Sequence, residues 1–270
     1  MKVLRLGTRG SALALAQARA VAALIDGETE LVKITTAGDV DRARGDKSRW
    51  VGALEAALLA GEIDLAVHSA KDVPADLAPG TAIVATPRRA DPFDVIVGDL
   101  REGARVGTSA LRRRSQLLAW RPDLEVVEIR GNVDTRLAKR EAGEVDALVL
   151  AAAGLQRLGR DVGAKLVDGV FVPAAGQGVI AVQGREGVTL PSVDHAPTHA
   201  ALDAERHVVR ELEASCHTPI GVLALEGRMR AFVGLPDGSR HIVEEAGSPQ
   251  ELTDRLRAAG AEELLRAVSA

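Results

Sequence analysis

RVGTSALRRRSQLLA, at residues 105–119, closely resembles RLGTRGSALALAQA at residues 5–18, and this repeat decides the fold. Each copy consists of a short apolar run, a turn of small or polar residues and a longer stretch typical of a helix. A strand that leads directly into a helix is the building block of sheets that carry helices on their faces. The chain therefore contains the same α/β element twice.

The repeat continues beyond its first helix in both copies. LVKITTAGD (31–39) resembles VVEIRGNVD (126–134), and GEIDLAVHSAKD (61–72) aligns with GEVDALVLAAAG (143–154). One such match can arise by chance between two βα units, whereas three in the same order indicate a duplicated domain. The two copies would join near TPRRADPFD (86–94).

From about residue 196 the sequence pattern changes. A predicted helix at 198–213 is followed by strand-like runs around a Pro-Asp-Gly turn at 236–238 and by one final helix at 249–268. Pro-Asp-Gly between strand-like runs is typical of a hairpin. The predicted fold class is α/β, with two similar α/β domains and a small α+β C-terminal domain. We expect domain 1 at 1–88 and 174–190, domain 2 at 93–172, and domain 3 at 196–270.

Composition and charge narrow the classes of function. The chain has 270 residues, a formal net charge of −4 and a single cysteine. An acidic balance disfavours a nucleic-acid partner held by bulk electrostatics. One cysteine excludes an internal disulfide and favours a cytoplasmic protein. We expect no signal peptide, because Arg5, Gly7 and Arg9 interrupt the apolar start, and no membrane span.

Arginines stand where predicted strands give way to helices. Arg112 and Arg113 lie in VGTSALRRR, and Arg130 and Arg136 lie in EIRGNVDTR. Helix starts offer unpaired backbone N–H groups, and guanidinium groups suit carboxylates or phosphates. Abundant arginine alone can be a compositional bias, so the placement carries the prediction. Two such turns predict a ligand that carries several negative charges.

Polar residues follow the predicted strands of both copies of the repeat. In sheets of this kind ligands bind beyond the carboxyl ends of the strands. We therefore expect these side chains to converge on one cleft between the two α/β domains. The residues are Arg9, Ser11, Ser69, Lys71, Asp72, Thr108, Arg112, Arg130 and Arg157.

Asp72 belongs to HSAKDVP (68–74), which follows an apolar strand directly. A carboxylate at the end of a strand can serve as a general acid, as a general base or as the partner of a cationic intermediate. A turn aspartate that binds its own backbone is equally compatible with the motif. The sequence leaves both interpretations open.

Cys216 lies between Ser215 and His217 in a loop-like stretch. A lone cysteine is commonly a small buried residue, yet a loop is an unusual place for one. His217 could favour the thiolate, although neighbours in sequence need not share a hydrogen bond. No metal site is expected, because the histidines lack a matching pattern of carboxylates or thiolates.

Taken together, the motifs closely resemble the porphobilinogen deaminase, or hydroxymethylbilane synthase, family. They are GTRGSALALAQA, DLAVHSAKDVP, VGTSALRRR, EIRGNVDTR, LAAAGLQRLG, PAAGQG and SCHTPIG, and they span nearly the whole chain. The resemblance implies two periplasmic-binding-protein-like domains and a third domain that carries a cysteine. It also implies an enzyme that joins four porphobilinogen units, with loss of ammonia, onto a covalent dipyrromethane primer and releases hydroxymethylbilane.

The resemblance assigns roles to individual residues. Asp72 would be the catalytic carboxylate, and Cys216 would hold the dipyrromethane through a thioether. The partners would be porphobilinogen and the growing polypyrrole, with no nucleic acid and no membrane, and the protein would be a monomer. The cofactor-binding residues would be Ser69, Lys71, Thr108, Ser109, Arg112, Arg113 and Lys47. The substrate-binding residues would be Arg9, Ser11, Gln17, Arg130, Asn132, Arg136 and Arg157.

Two stretches depart from the family pattern. The segment 37–55, a lid in the family, is shorter than usual and lacks the glycines around Lys47, and Trp50 replaces a typical phenylalanine. Ala214 and Ser215 replace a Gly-Gly pair before the cysteine. A competing hypothesis is a non-catalytic cytoplasmic anion-binding module with the same duplicated architecture, but such a module does not need a third domain with a loop cysteine.

Overall fold

The computed structural model describes residues 3–36, 48–160, 162–167, 169–214 and 218–269. The chain divides into two compact units. Unit 1 comprises Met1–Ala90 and Gly176–Asp203, and unit 2 comprises Asp91–Ala175 and Ala204–Ala270. Unit 1 covers nearly the residues expected of domain 1. Unit 2 contains the residues expected of domain 2 and, except for 196–203, those expected of domain 3, so the division into three domains stays a prediction.

The described residues form strands and α-helices in the order expected of a duplicated α/β chain. The strands are β1 (Leu4–Thr8), β2 (Thr29–Lys33), β3 (Leu65–Ser69), β4 (Thr81–Ala85), β5 (Asp94–Gly98), β6 (Arg105–Gly107), β7 (Glu125–Val127), β8 (Ala147–Ala151), β9 (Ala164–Leu166), β10 (Ile180–Arg185), β11 (Ile220–Leu225), β12 (Arg228–Gly234) and β13 (His241–Ala246). The helices are α1 (Ala12–Ala22), α2 (Ser48–Leu59), α3 (Leu111–Trp120), α4 (Val133–Glu141), α5 (Ala152–Arg157), α6 (Ala196–Glu211), α7 (Pro249–Ala258) and α8 (Ala261–Ser269).

Each unit contains a five-stranded mixed sheet with the same arrangement. In unit 1 the strand order is β2-β1-β3-β10-β4, and in unit 2 it is β7-β6-β8-β5-β9. The first three strands of each sheet run parallel, and the fourth is antiparallel to both of its neighbours. The predicted duplication and the α/β fold class are therefore confirmed.

The register of the strands repeats as well. Gly7 pairs with Val32 and Ala66, and the aligned Gly107 pairs with Val127 and Leu148. In both copies an aspartate carboxylate accepts the N–H of the first arginine of the motif, at 3.0 Å in the first copy and 2.7 Å in the second. The sequence alignment of the two copies therefore corresponds to matched positions in space.

Local sequence signals explain where several helices begin. Ser11 caps α1 by accepting the N–H of Ala14 at 3.3 Å, and Asn132 caps α4 by accepting the N–H of Thr135 at 2.8 Å. Small hydroxyl and amide side chains are favoured at this position because they satisfy an otherwise unpaired N–H group. Both capping residues belong to the motifs that the sequence singles out.

The prediction of one final helix at 249–268 is wrong. The segment forms two helices, α7 and α8, with Gly260 between them in the left-handed region at φ 90°. Glycine adopts this conformation without a steric penalty and ends helices for that reason. The apolar periodicity continues across Gly260, and this continuity hides the break from a pattern-based prediction.

Apolar side chains cover both faces of the first sheet. Leu6, Leu65 and Val182 pack with Ala18 and Val21 of α1. Unit 2 has equivalent cores, and its three-stranded antiparallel sheet β11-β12-β13 is covered by α7 and α8 through Leu252, Leu256 and Leu264. Within the described ranges, no helix has the length and apolar character needed to cross a membrane.

Candidate functional site

A small pocket in unit 1, of about 80 Å³, lies at the carboxyl end of β3. Its lining includes Arg9, Ser11 and Gln17 from the first turn and helix, and Ser69 and Asp72 from the HSAKDVP motif. The neighbouring parallel strands β1 and β3 end at the same edge of the sheet, and the residues that follow them meet there. The structure therefore brings these five predicted site residues together.

Gln17 fixes one wall of this pocket. Its side chain is 3% exposed, and its amide nitrogen donates to the Ser69 hydroxyl oxygen at 2.9 Å. The same hydroxyl lies 3.1 Å from the amide oxygen of Gln17. A buried polar pair of this kind is held in place because loss of either partner leaves the other without a hydrogen bond. Ser69 is thus positioned by α1.

Asp72 ends a short 3-10 helical turn formed by Ala70–Asp72. The turn is anchored by the N–H of Ala70, which donates to the carbonyl of Val179 at 3.0 Å. The carboxylate of Asp72 is half-buried and faces the pocket. The copy of this turn in unit 2 reads Ala-Ala-Gly at 152–154. The lysine and the aspartate of this turn are therefore present only in the first copy.

Lys71 in the same turn contacts the glycine-rich segment 174–178. Its ammonium nitrogen lies 3.4 Å from the side-chain oxygen of Gln177, which is 1% exposed. Gly176, at φ 73°, packs so closely that an added Cβ would lie 3.0 Å from the backbone of Ala70 and Lys71. Glycine is required at this position, because any other residue would be strained by the positive φ and its Cβ would crowd this backbone. The PAAGQG motif therefore shapes the turn that carries Lys71 and Asp72.

The first two arginines of the RRR motif lie in the first turn of α3 in unit 2, and both are buried. Arg112 and Arg113 contact opposite oxygens of the Asp94 carboxylate, at 2.8 Å and 2.7 Å. Arg112 also donates to the carbonyl of Val172 at 2.9 Å, and Arg113 to that of Val149 at 2.9 Å. Each guanidinium group is therefore held by an oxygen of the Asp94 carboxylate and by a backbone carbonyl.

Asp94, Arg112 and Arg113 form a buried charged cluster in which each group affects the ionisation of the others. Burial opposes the ionised form of Asp94, but Arg112 and Arg113 more than compensate and hold the pKa of that carboxyl well below its usual range. Burial lowers the pKa of Arg112, and Asp94 opposes that change. Arginine remains protonated at neutral pH, so two cations share one anion. The cluster keeps one net positive charge at the start of α3.

The second arginine motif forms an exposed turn at the start of α4. Arg136 donates from Nε to the carbonyl of Gly131 at 2.9 Å, and one of its terminal nitrogens lies 3.4 Å from the Ser109 hydroxyl. Arg130 pairs with Glu128 at 2.6 Å, and both side chains are about half exposed. Ser109, Arg130, Asn132 and Arg136 therefore lie on neighbouring turns at one edge of the sheet in unit 2.

Arg157 lies in the last turn of α5. Burial lowers its pKa to about 10, which still leaves the guanidinium charged at neutral pH. A cation that keeps its charge while half-buried is suited to an anionic ligand.

Several predicted residues lie outside the described residues. Lys47, Cys216 and His217 are among them, as is nearly all of the expected lid segment before α2.

Sequence reasoning missed three side chains that hold the site together. Asp94 opens strand β5, Gln177 lies in the glycine-rich segment, and Gln183 lies inside strand β10. Charged or amide residues within apolar runs are the available signal, because a buried polar group needs a partner. The partner itself cannot be identified from one sequence.

Fold and site together define a class of protein. It is a duplicated α/β protein whose strand ends carry arginine, lysine and hydroxyl groups around one half-buried carboxylate, a donor set suited to a polycarboxylate ligand. Residues 4–190 match the family model described as "Porphobilinogen deaminase, dipyromethane cofactor binding domain", and residues 200–264 match "Porphobilinogen deaminase, C-terminal domain". The chain belongs to the porphobilinogen deaminase family, whose enzyme is also called hydroxymethylbilane synthase.

Curated relatives agree with this assignment. The chain is 43% identical to the porphobilinogen deaminase of Trichlorobacter lovleyi, over 99% of this chain and 97% of that protein. It is 46% identical to that of Leifsonia xyli subsp. xyli, over 88% of this chain and 82% of the relative. Among solved structures, a probable amino-acid ABC transporter extracellular-binding protein from Bacillus subtilis matches 74% of this chain and 91% of its own, at 9% identity and a TM-score of 0.42.

Proposed function

We propose that this chain condenses four porphobilinogen molecules head to tail, with loss of one ammonia each, on a dipyrromethane primer attached to Cys216. Hydrolysis then releases hydroxymethylbilane, and the primer stays on the enzyme. The observation that carries the proposal is the half-buried carboxylate of Asp72 in the pocket with Arg9, Ser11 and Ser69. Membership of the porphobilinogen deaminase family supplies the substrate class.

Asp72 acts on the incoming porphobilinogen. The C–N bond of the aminomethyl group breaks, the nitrogen takes up a proton and leaves as ammonia, and positive charge remains on the substrate pyrrole. A carboxylate beside this pyrrole stabilises the cation, and in its protonated form it can supply the proton to the leaving amine. The new C–C bond then forms at the aminomethyl carbon, and the attacking pyrrole carbon loses its proton.

The proposed cofactor-binding residues carry donors that suit the acetate and propionate groups of the primer. Arg112 and Arg113 retain one net positive charge after pairing with Asp94. The hydroxyl oxygen of Thr108 accepts the N–H of Ala110 at 3.2 Å, which leaves its O–H free to donate to a carboxylate. With Ser69, Lys71, Ser109 and Lys47 they would hold the carboxylates. When bound, the dipyrromethane supplies the nucleophilic pyrrole carbon from which the chain grows.

Substrate carboxylates are bound by a second group of donors. Ser11 and Asn132 use an oxygen to cap their helices, and each retains a hydrogen that it can donate. The N–H groups at these helix starts add to the attraction for anions. The proposed substrate-binding residues are Arg9, Ser11, Gln17, Arg130, Asn132, Arg136 and Arg157.

Cys216 is proposed as the attachment point on the basis of its motif. SCHTPIG contains the one thiol of the chain, so a thioether to the primer has to form there. A thiol that must react needs to stay reduced, which favours the cytoplasm over an oxidising compartment. We propose that the protein works there as a monomer, to be checked by light scattering of the purified protein and by cell fractionation.

The intact mass of the denatured protein tests the proposal. Protein from cells supplied with porphobilinogen should be heavier than its sequence by one dipyrromethane and should colour with an aldehyde reagent for pyrroles. Cys216→Ser should lose both the added mass and the elongation activity. An unmodified mass for the native sequence, with no elongation of added porphobilinogen, would contradict the proposal.

A further inference from the structure

A chain of buried polar side chains lies behind the Asp72 pocket in unit 1. His68 of β3 is 7% exposed, and its Nε2 lies 3.1 Å from the side-chain oxygen of Gln183 in β10. The amide nitrogen of Gln183, which is fully buried, donates to Glu55 at 2.8 Å and to Thr81 at 2.8 Å. We refer to His68, Gln183, Glu55 and Thr81 as the Gln183 network.

The hydrogen bonds of this network can run in only one direction. The Thr81 hydroxyl donates to the carbonyl of Ala78 at 2.7 Å, so its oxygen must accept from Gln183. The same Glu55 oxygen also accepts the N–H of Ala78 at 3.1 Å. Both neighbours are therefore acceptors, and they require the NH₂ end of the Gln183 amide. The amide oxygen is left to face His68.

This orientation selects the tautomer of the imidazole. Because the amide oxygen of Gln183 can only accept, Nε2 of His68 must carry the hydrogen. In the neutral ring Nδ1 then holds the lone pair. Burial lowers the pKa of His68 to about 4, so the ring is neutral at physiological pH. The charged groups that act on it are Glu55, Asp72 and Arg9.

We propose that Gln183 is a positioning residue, which holds His68 as a neutral Nε2–H imidazole in the wall of the Asp72 pocket. His68 lines this pocket together with Asp72, Ser69 and Arg9. A protonated His68 would place another cation beside Asp72 and compete with a cationic substrate for its carboxylate. A neutral ring with its lone pair on Nδ1 adds an acceptor and no charge. The role of Gln183 in turnover rests on the proposed function, whereas the tautomer of His68 follows from the hydrogen bonds of the network.

A network that merely satisfied buried polar groups would stabilise the fold without setting the pH dependence of the reaction. The acid limb of the pH profile separates the two possibilities, and the tautomer tests the network itself. The experiment therefore combines a spectroscopic measurement on the native sequence with rates for variants of Gln183.

The first measurement is ¹⁵N NMR of the imidazole nitrogens in the purified protein across a pH series. The His68 signals, identified by their loss in His68→Gln, should show a protonated Nε2 and an unprotonated Nδ1, with no titration above about pH 5 since the pKa lies at about 4. A hydrogen on Nδ1, or protonation near the ordinary value of 6.5, would overturn the inference. This result does not depend on activity, and a variant is needed only to assign the His68 signals.

The second measurement uses Gln183→Glu, which places one carboxyl oxygen next to Nε2 of His68 and the other next to Glu55, so that the added negative charge is relieved when His68 takes up a proton. An opposite charge at this distance raises the pKa of a histidine by roughly 1–3, so His68 should become charged at a higher pH. The acid limb of the single-turnover rate of porphobilinogen addition should then move toward neutral pH by a similar amount. Gln183→Met, which removes the acceptor, should instead give a mixture of both tautomers.

Gln250→Glu is the matched control, because it adds the same charge at an exposed position of α7. It should leave both the NMR signals and the pH profile of the native sequence unchanged. If the pKa of His68 is raised in folded Gln183→Glu but the rate profile is unshifted, Gln183 has no positioning role. Absence of both adduct and elongation in the native sequence would instead count against the proposed function, and the tautomer result would stand separately.

Discussion

Asp94→Asn is the substitution that tests most directly how the site in unit 2 is held. The Asp94 side chain is 5% exposed, and the guanidinium groups that it joins belong to side chains that are 6% and 7% exposed. Asparagine keeps the volume of the side chain but removes its charge and places an NH₂ group near two cations. Arg112 and Arg113 would then be buried with backbone carbonyls and Gln116 as their remaining acceptors.

The expected loss of stability follows from this burial. Removing one partner of a buried ion pair costs roughly 3–5 kcal/mol, because the remaining charge is left uncompensated. The carbonyls of Val172 and Val149 still accept from the two arginines, so we expect the lower part of this range. The same variant should carry less primer, because the arginines are no longer held in one place.

Urea unfolding monitored by circular dichroism measures the loss, and intact mass measures the fraction that carries the primer. Asp123→Asn is the control, because its ion pair with Arg121 is about one-third exposed and exposed pairs contribute little. A decrease of less than about 1 kcal/mol in the unfolding free energy of Asp94→Asn would refute the reasoning, because it would mean that water reaches the pair.

The same carboxyl predicts a pH dependence of stability. The pKa of Asp94 in the folded protein lies below its ordinary value of 3.8, so the unfolded chain takes up a proton first as the pH falls. The contribution of Asp94 is therefore fully present above about pH 4 and is lost as the pH decreases through the folded-state pKa. The unfolding free energy of the native sequence should fall more steeply below pH 4 than that of Asp94→Asn.

Two further predictions concern unit 1. Asp72→Asn should give a folded protein that still carries pyrroles on Cys216 but adds porphobilinogen roughly 10²–10⁴-fold more slowly. Single-turnover mass analysis measures this rate, and a near-normal rate would exclude Asp72 as the catalytic carboxylate. Gly176→Ala should be clearly less stable to urea than Gly80→Ala. Both glycines have a positive φ, at 73° and 83°, but only at Gly176 would the new Cβ crowd the backbone of Ala70 and Lys71. Equal losses in the two variants would show that this close approach does not matter.

Much of the fold was predictable because its signals are local. A strand, a turn and a helix occupy consecutive residues, and caps such as Ser11 and Asn132 act within one turn of the helix. The repeat then shows that the same unit is used twice. The break at Gly260 was missed because the apolar spacing continues through it, and a single glycine is only a weak signal within such a pattern.

The candidate site was predictable in part for a related reason. Arg9, Ser69 and Asp72 follow strands, and parallel strands bring such residues to one edge of a sheet. The sequence did not indicate that Arg112 and Arg113 would be buried against a shared carboxylate. That outcome depends on β5, which pairs antiparallel with β8 and brings Asp94 within reach of α3.

By itself, the sequence determined the class of the protein, the duplicated α/β unit and the motifs that place cations and one carboxylate at strand ends, because these features are encoded over a few consecutive residues. The tertiary structure alone decided which distant polar groups became partners. Asp94 joins Arg112 and Arg113, and Gln183 joins His68, across 115 residues in the latter case. The physical reason is that a buried polar group must find a partner, and only the path of the chain determines which group that is.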